Sequence, residues 1–262
     1  MAIEEPEPAG RRVVRVATRR RGVRLAVLSA TEALFAEQDL SEAAIREIAQ
    51  RARLVHHKRG EECFRSTTGH VFLLERGCVR EDFPDGTARL WGPGTLIGNW
   101  TGARLSARTR ATTLTESSAG LVLIAADIAQ IGATHGQVVY AVGRMGMHRL
   151  HAAETVYGAS RLSPLSRVAK LLLFLSHYSG YYDTHRRDGQ RVVAIARDGL
   201  VEGPTQADIA DALGLSRASV EKTIAVLRGR GVLRQPQSGE HRTNRRYVIM
   251  DREKLERVVI AP

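Results

Sequence analysis

The sequence predicts an α+β protein in two folded parts. An antiparallel β-roll lies toward the N-terminus, a winged helix-turn-helix at the C-terminus, and a long helix joins them. Three observations predict it. Glycines fall at 60, 69, 77, 86, 94 and 102, with strand-like runs between them, the even spacing of an antiparallel barrel, sandwich or roll. From Val138 to Val156 apolar residues step by three and four, a helical seam. Thr205–Gly231 reads TQADIADALGLSRASVEKTIAVLRGRG, two short helical patterns that meet at Gly214.

The bulk properties set the frame. The 262 residues are enough for one large domain or two ordinary ones, and 43% are hydrophobic. The net charge of +11 favours an anionic partner, nucleic acid or anionic lipid. Of the 39 basic residues 35 are arginine, a bias that codon composition also produces, so charge alone does not choose the partner. The longest apolar run, near Leu171–Leu175, is far short of a membrane span. The N-terminus has no apolar stretch before a cleavage site, so no signal peptide and no membrane partner are expected and the location is read as cytoplasmic. Cys63 and Cys78 form no CxxC pair. They read as two reduced strand cysteines, without a zinc or iron–sulfur site.

Element by element, residues 1–24 read as a solvated basic arm, with seven arginines from Arg11 to Arg24. Leu34, Phe35, Leu40, Ala44, Ile45, Ile48 and Ala49 recur at helical spacing, with Ser41 placed to cap the second of two short helices. The β domain is expected over about 53–125, with the Asp-Gly pair of Pro84–Thr87 in a tight hairpin. Next, Val138, Val142, Met145, Arg149, Ala152 and Val156 form a narrow seam, expected to pair with the same helix of a second subunit. Ser163–Gly180 predicts another helix with Pro164 in its first turn. YYDTHRRDGQ reads as a loose polar stretch, and RVVAIA and GLV as short strands.

The chemistry concentrates in the two helices around Gly214. Thr205 can cap the first, with Ala207, Ile209, Ala210 and Leu213 inward. Gly214 supplies the left-handed turn, and Ser216 caps the second helix, with Val220, Ile224 and Leu227 inward. In a helix-turn-helix the small Ala210 lets the helices cross closely, Gly214 makes the bend and Val220 fills the angle. The second helix enters the major groove with its N-terminal residues at base edges. Ser216 then reaches a phosphate, and Arg217 can read O6 and N7 of guanine. Glu221 can accept from a cytosine amino group, and Lys222, Ser219 and Thr223 lie nearby. Ala218 and, on the first helix, Thr205 and Gln206 complete the DNA-facing set. Two strands, about Val232–Gln235 and Arg245–Met250, make a wing with Arg242, Arg245 and Arg246 near phosphates.

The order of parts, with GEECF, GPGTLIG and SRASVEKTIAVLRGRGVL, resembles the family of the cyclic-AMP receptor protein and Fnr, over about residues 29–260. The resemblance implies a cyclic-nucleotide-binding-like roll over 25–135, a dimerisation helix over 136–160 and a winged helix-turn-helix over 161–262. It implies a homodimeric transcription factor on a two-fold related stretch of double-stranded DNA, often an activator that touches RNA polymerase. Arg217 falls where the family's guanine-reading arginine stands and Lys222 where a second basic reader is common, whereas Ala218 replaces a base-reading glutamate. The ligand pocket departs further. Gly98 is followed by Asn99 where the family has glutamate. Arg110-Ala111 matches the phosphate-holding pair, with Arg108 competing, and Ala153 and Glu154 stand where a Thr-Ser pair meets the purine. A missing carboxylate and hydroxyl pair remove several hydrogen bonds, so cyclic AMP in the familiar mode is not expected and no cofactor is assigned. An Fnr-type cluster needs more cysteines than the two present. His56, His57 and His70 read as surface or strand histidines rather than haem ligands.

An enzyme is not expected: HRLH at His148–His151 has no carboxylate at metal-site spacing, and SPLSRVAK lacks SxxK spacing. The other reading is a small-molecule sensor that acts through protein contact.

Overall fold

The computed structural model describes residues 10–66, 69–99, 108–177, 181–187, 190–196, 199–235 and 245–260. Helix α1 (Gly10–Leu34) and helix α2 (Glu42–Arg51) come first. Ser41 caps α2, its side chain accepting from Ala44 N at 3.3 Å. The basic N-terminus therefore differs from the expected arm. From Gly10 its backbone is helical, and α1 runs unbroken across residue 24.

Strands follow the glycine punctuation. They are β1 (Arg53–Lys58), β2 (Glu62–Arg65), β3 (His70–Arg76), β4 (Val79–Asp82), β5 (Ala88–Trp91), β6 (Leu96–Ile97), β7 (Arg110–Thr113) and β8 (Ser117–Ile124). Gly60, Gly69, Gly77, Gly86 and Gly94 all take positive φ at the turns between them, where a Cβ would be strained. Two four-stranded antiparallel sheets result, in the orders β1-β8-β3-β6 and β2-β7-β4-β5. Phe64, Phe72, Leu74, Val79, Trp91 and Ile97 interdigitate in one cluster of the roll. A second core lies under the helices, where Val71, Leu73 and Leu121 meet Phe35 and Ile48.

Helix α3 (Ala125–Thr134) and helix α4 (Gly136–Ala152) follow, and α4 ends in a π-helical turn, Ala153–Tyr157. The expected dimer seam is corrected here. Val138, Val142, Met145, Ala152 and Val156 are all buried within one chain, against the roll and its flanking helices. The physical reason is that α4 carries two apolar rows. Tyr140, Met147 and Leu150 form the other, and they are 69%, 63% and 52% exposed. A step of three and four identifies a helix face but not its partner, and the row with smaller side chains fits the roll.

Arg149 sits within the buried row and explains how a cation is tolerated there. Its Nη2 donates to Glu81 Oε1 and Oε2 at 2.6 and 2.5 Å. Glu81, on β4, is 1% exposed and also accepts from Trp91 Nε1 at 2.8 Å. The Arg149 guanidinium lies over the Trp91 ring at 5.3 Å. One residue pair thus pins α4 to the roll. The π-helical turn brings Tyr157 to Leu90, where its hydroxyl donates to the carbonyl and accepts from the amide at 2.9 Å. Leu90 lies on β5, an edge strand whose open backbone groups need such a partner.

The C-terminal part holds α5 (Pro164–His177), β9 (Tyr181–Arg187), β10 (Gln190–Ala196), β11 (Leu200–Glu202), α6 (Gln206–Leu213), α7 (Arg217–Gly229), β12 (Arg246–Val248) and α8 (Arg252–Ile260). The stretch expected to be loose is half of a hairpin: β9 pairs antiparallel with β10 from Tyr181↔Ala196 to Arg187↔Gln190. Polar composition hides it: YYDTHRRDGQ offers no apolar alternation to mark a strand. No helix among the described residues is long and apolar enough to cross a membrane.

Arg149→Met is expected to lower stability by about 3–5 kcal/mol, the cost of leaving a buried charge unpaired, seen as a lower urea midpoint. Adding Glu81→Gln should restore part of that loss, because a neutral amide still accepts from Trp91.

Candidate nucleic-acid interface

Helix α6 begins in a reciprocal cap. Thr205 Oγ1 accepts from Asp208 N at 3.1 Å while Asp208 Oδ2 accepts from Thr205 N at 2.8 Å. The helix ends at Gly214, φ 59° and ψ 41°, the left-handed conformation the turn requires. Leu215 N closes the turn on Ala210 O at 2.9 Å. Ser216 then caps α7, accepting from Ser219 N at 3.1 Å and donating to Ser219 Oγ at 3.0 Å. Val220, Ile224 and Leu227 are buried between α5, α6 and α7. Arg217, Ala218, Glu221 and Lys222 form the exposed face of the first turns. The Arg217 side chain is 67% exposed and its Nε donates to Glu221 Oε1 at 2.8 Å. An exposed pair of this spacing contributes only about 0.3–0.5 kcal/mol, so it is readily exchanged for another partner.

Several expected contact residues lie elsewhere. Gln206 is buried and Ala207 exposed, the reverse of the expected inward face. Positions 206, 209, 210 and 213 share one helical face, and 207 lies a hundred degrees off it. Thr223 is 5% exposed and turns inward beside Val220 and Leu227, away from any phosphate. Arg245 spends a guanidinium donor on Gly203 O at 2.9 Å, which ties the wing to the start of the domain. Arg246 is exposed, and Arg242 lies outside the described residues. The wing is also arranged differently. β12 pairs with β11, from Leu200↔Val248 to Glu202↔Arg246, while Val232–Gln235 contributes only an isolated bridge, Leu233↔Ile249. The amide of Arg234 still donates to Val248 O at 2.9 Å, so the three segments lie side by side.

The roll's expected ligand residues do not converge on one cavity among the described residues. Gly98 has φ 106°, and a Cβ there would meet the Phe64 ring at 2.7 Å. Ala111 is fully buried, Arg108 and Glu154 are exposed, and Ala153 is half-buried on the π-helical turn. Asn99, next to the tight Gly98, is half-buried. Arg110 points to solvent and pairs with Asp82, its cross-strand neighbour, at 3.7 Å. Phe64, Phe72, Trp91 and the Glu81–Arg149 pair occupy the interior instead. Sequence reasoning missed that pair, because neither residue belongs to a short-range motif.

It also missed the link between the two parts. Arg80, next to Glu81, faces the other way. Its Nε donates to Asp82 Oδ1 at 2.8 Å, and its Nη1 to Asp208 Oδ1 at 3.2 Å and Asp211 Oδ2 at 2.7 Å, both on α6. Burial opposes the Arg80 charge, yet its hydrogen bonds to three carboxylates outweigh that and hold its pKa above the ordinary arginine range. Around this clamp Cys78, Leu90 and Leu114 of the roll join one core with Val201, Ile209 and Leu213. Both thiols are held protonated. Burial pushes Cys63 up to about 12 and Cys78 well above the usual thiol range.

An antiparallel roll is followed by a connecting helix and a helix-turn-helix whose second helix exposes Arg217 and Lys222. Residues 166–258 match the model of the Crp-like helix-turn-helix domain. About four fifths of the chain shares its fold with solved regulator structures, at identities that show the fold alone. FixK2 from Bradyrhizobium japonicum superposes with a TM-score of 0.56 at 21% identity, covering 80% of this chain and 98% of that one. A CRP-family transcriptional regulator from Thermus thermophilus gives 0.52 at 22% identity, with 79% and 97% covered. No curated protein matches the sequence.

Arg80→Ala should raise hydrogen–deuterium exchange across Gln206–Leu213 while leaving the β1–β8 amides unchanged. Cys63 and Cys78 should resist a thiol reagent at pH 8 in the folded protein and react on unfolding, since only the thiolate attacks.

Proposed function

We propose that this protein is a homodimeric, sequence-specific DNA-binding regulator that reads a two-fold related operator through α7. The observation that carries the reading is Arg217, held by the Ser216 cap on the first turn of an exposed helix, with Lys222 one turn on. A planar guanidinium at that place can take O6 and N7 of a guanine together. The wing's Arg246, and Arg242 beyond the described residues, supply phosphate contacts. Pairing of two chains is supported by the exposed row of α4. Tyr140, Gly143, Met147 and Leu150 step by three and four along it, and three of the four are apolar side chains left in water.

The regulator works without a cyclic nucleotide bound in the familiar mode. Aromatic side chains and the Glu81–Arg149 pair occupy the roll interior, and Arg110 is engaged with Asp82. Its place of action is the cytoplasm, and contact with RNA polymerase rests on family resemblance.

Selection from a randomised duplex pool tests this reading. The wild-type protein should enrich an inverted repeat that contains guanine in each half. Arg217→Ala should lose roughly 5- to 150-fold in discrimination, corresponding to about 1–3 kcal/mol per good base contact, while retaining weak, salt-dependent binding. Enrichment of no sequence by the wild type, or the same preference in the variant, would sink the assignment.

A further inference from the structure

A cleft of about 230 Å³ opens between the end of α1, the turn after it, the Pro93–Thr95 turn and α4. None of Gly98, Asn99, Arg110 and Ala111 lines it. Its apolar lining comes from Leu34, Trp91, Met145 and Phe174, and its polar lining includes Glu37, Gln38, Glu75 and Arg144.

Three features in and beside that lining bear on a ligand. Gln38 Oε1 is buried without a hydrogen-bond partner. Leaving such an acceptor open costs on the order of 1–3 kcal/mol. The residue after it, Asp39, has φ 48°, the one positive value at a non-glycine among the described residues, so the turn is held in a conformation few side chains accept. Finally, Arg144 forms no ion pair among the described residues, nor do Glu37 and Glu75, although all three line one cleft. Opposite charges held apart over an apolar surface complement a zwitterion. The volume lies below the ~300–1,000 Å³ of drug-sized sites, which favours a small metabolite over a nucleotide.

We infer that this cleft binds a free α-amino acid with an apolar side chain. Its carboxylate pairs with Arg144. Its ammonium pairs with Glu75, with Glu37 adding negative charge. Its side chain packs on Leu34, Met145 and Phe174. The site reports to the rest of the molecule through two of its walls. Arg149, which also lines it, holds Glu81, and Phe174 lies on α5, edge-on to Trp91 with ring centroids 6.1 Å apart.

Calorimetric titration of the full chain with L-leucine, L-methionine and L-phenylalanine tests this without DNA, so its outcome is separate from that of the operator reading. At least one should bind saturably with one site per chain. Arg144→Ala and Glu75→Gln, both at cleft-lining positions outside the packed core, should each weaken binding tenfold or more. For leucine, 4-methylpentanoate, which lacks the amino group, and isopentylamine, which lacks the carboxylate, should bind at least tenfold more weakly. No binding of any of the three at millimolar concentration overturns the inference, as does unchanged affinity in Arg144→Ala. So does equal binding of the acid or the amine, which would make this a plain anion or cation site.

Discussion

A carboxylate that is 1% exposed inside a β-roll dictates much of the architecture. Burying Glu81 alone would cost several kcal/mol, so a cation and a donor must reach it. Arg149 and Trp91 do so. Because Arg149 comes from α4, satisfying Glu81 fixes the rotation of that helix about its own axis. The row from Val138 to Val156 is then turned inward and Tyr140, Met147 and Leu150 are turned out. The surface available to a second chain is thus set by an ion pair on the opposite face of the helix.

The same strand carries the constraint to the C-terminal part. Side chains alternate along β4, so if Glu81 points in, Arg80 and Asp82 point out. Arg80 meets the two carboxylates of α6, one of which, Asp208, also forms the cap with Thr205. The start of the helix-turn-helix is therefore held both by its own backbone and by the roll. Asp82 in turn pairs with Arg110, so a row of alternating charges runs from Arg110 to α6. Position of α6 and state of the roll are mechanically one problem in this chain.

Features written in local sequence were legible. Turn glycines, the Ser41, Thr205 and Ser216 caps, Gly214 and the apolar triplet of α7 each act over a few residues, and a few residues suffice to read them. What was not legible depends on distant partners. Arg149 looked like an interruption in an apolar row because its carboxylate lies 68 positions away. Arg80 meets residues 128 and 131 positions on. Which row of α4 packs on the roll is hidden for the same reason: two apolar rows on one helix are equivalent until the roll chooses. Gln206 and Thr223 were placed outward because polar side chains were taken to seek water, although both lie at positions whose helical phase is inward.

The central claim is that an arginine on the first turn of α7 reads a guanine edge in each of two symmetric half-sites. Guanine N7 methylation interference on a selected duplex tests it most directly. The account predicts that methylating one guanine in each half-site, the pair related by two-fold symmetry and about one helical turn apart, abolishes wild-type binding and leaves the weak binding of Arg217→Ala untouched. Interference from phosphate modification alone, with every guanine N7 indifferent, would contradict it.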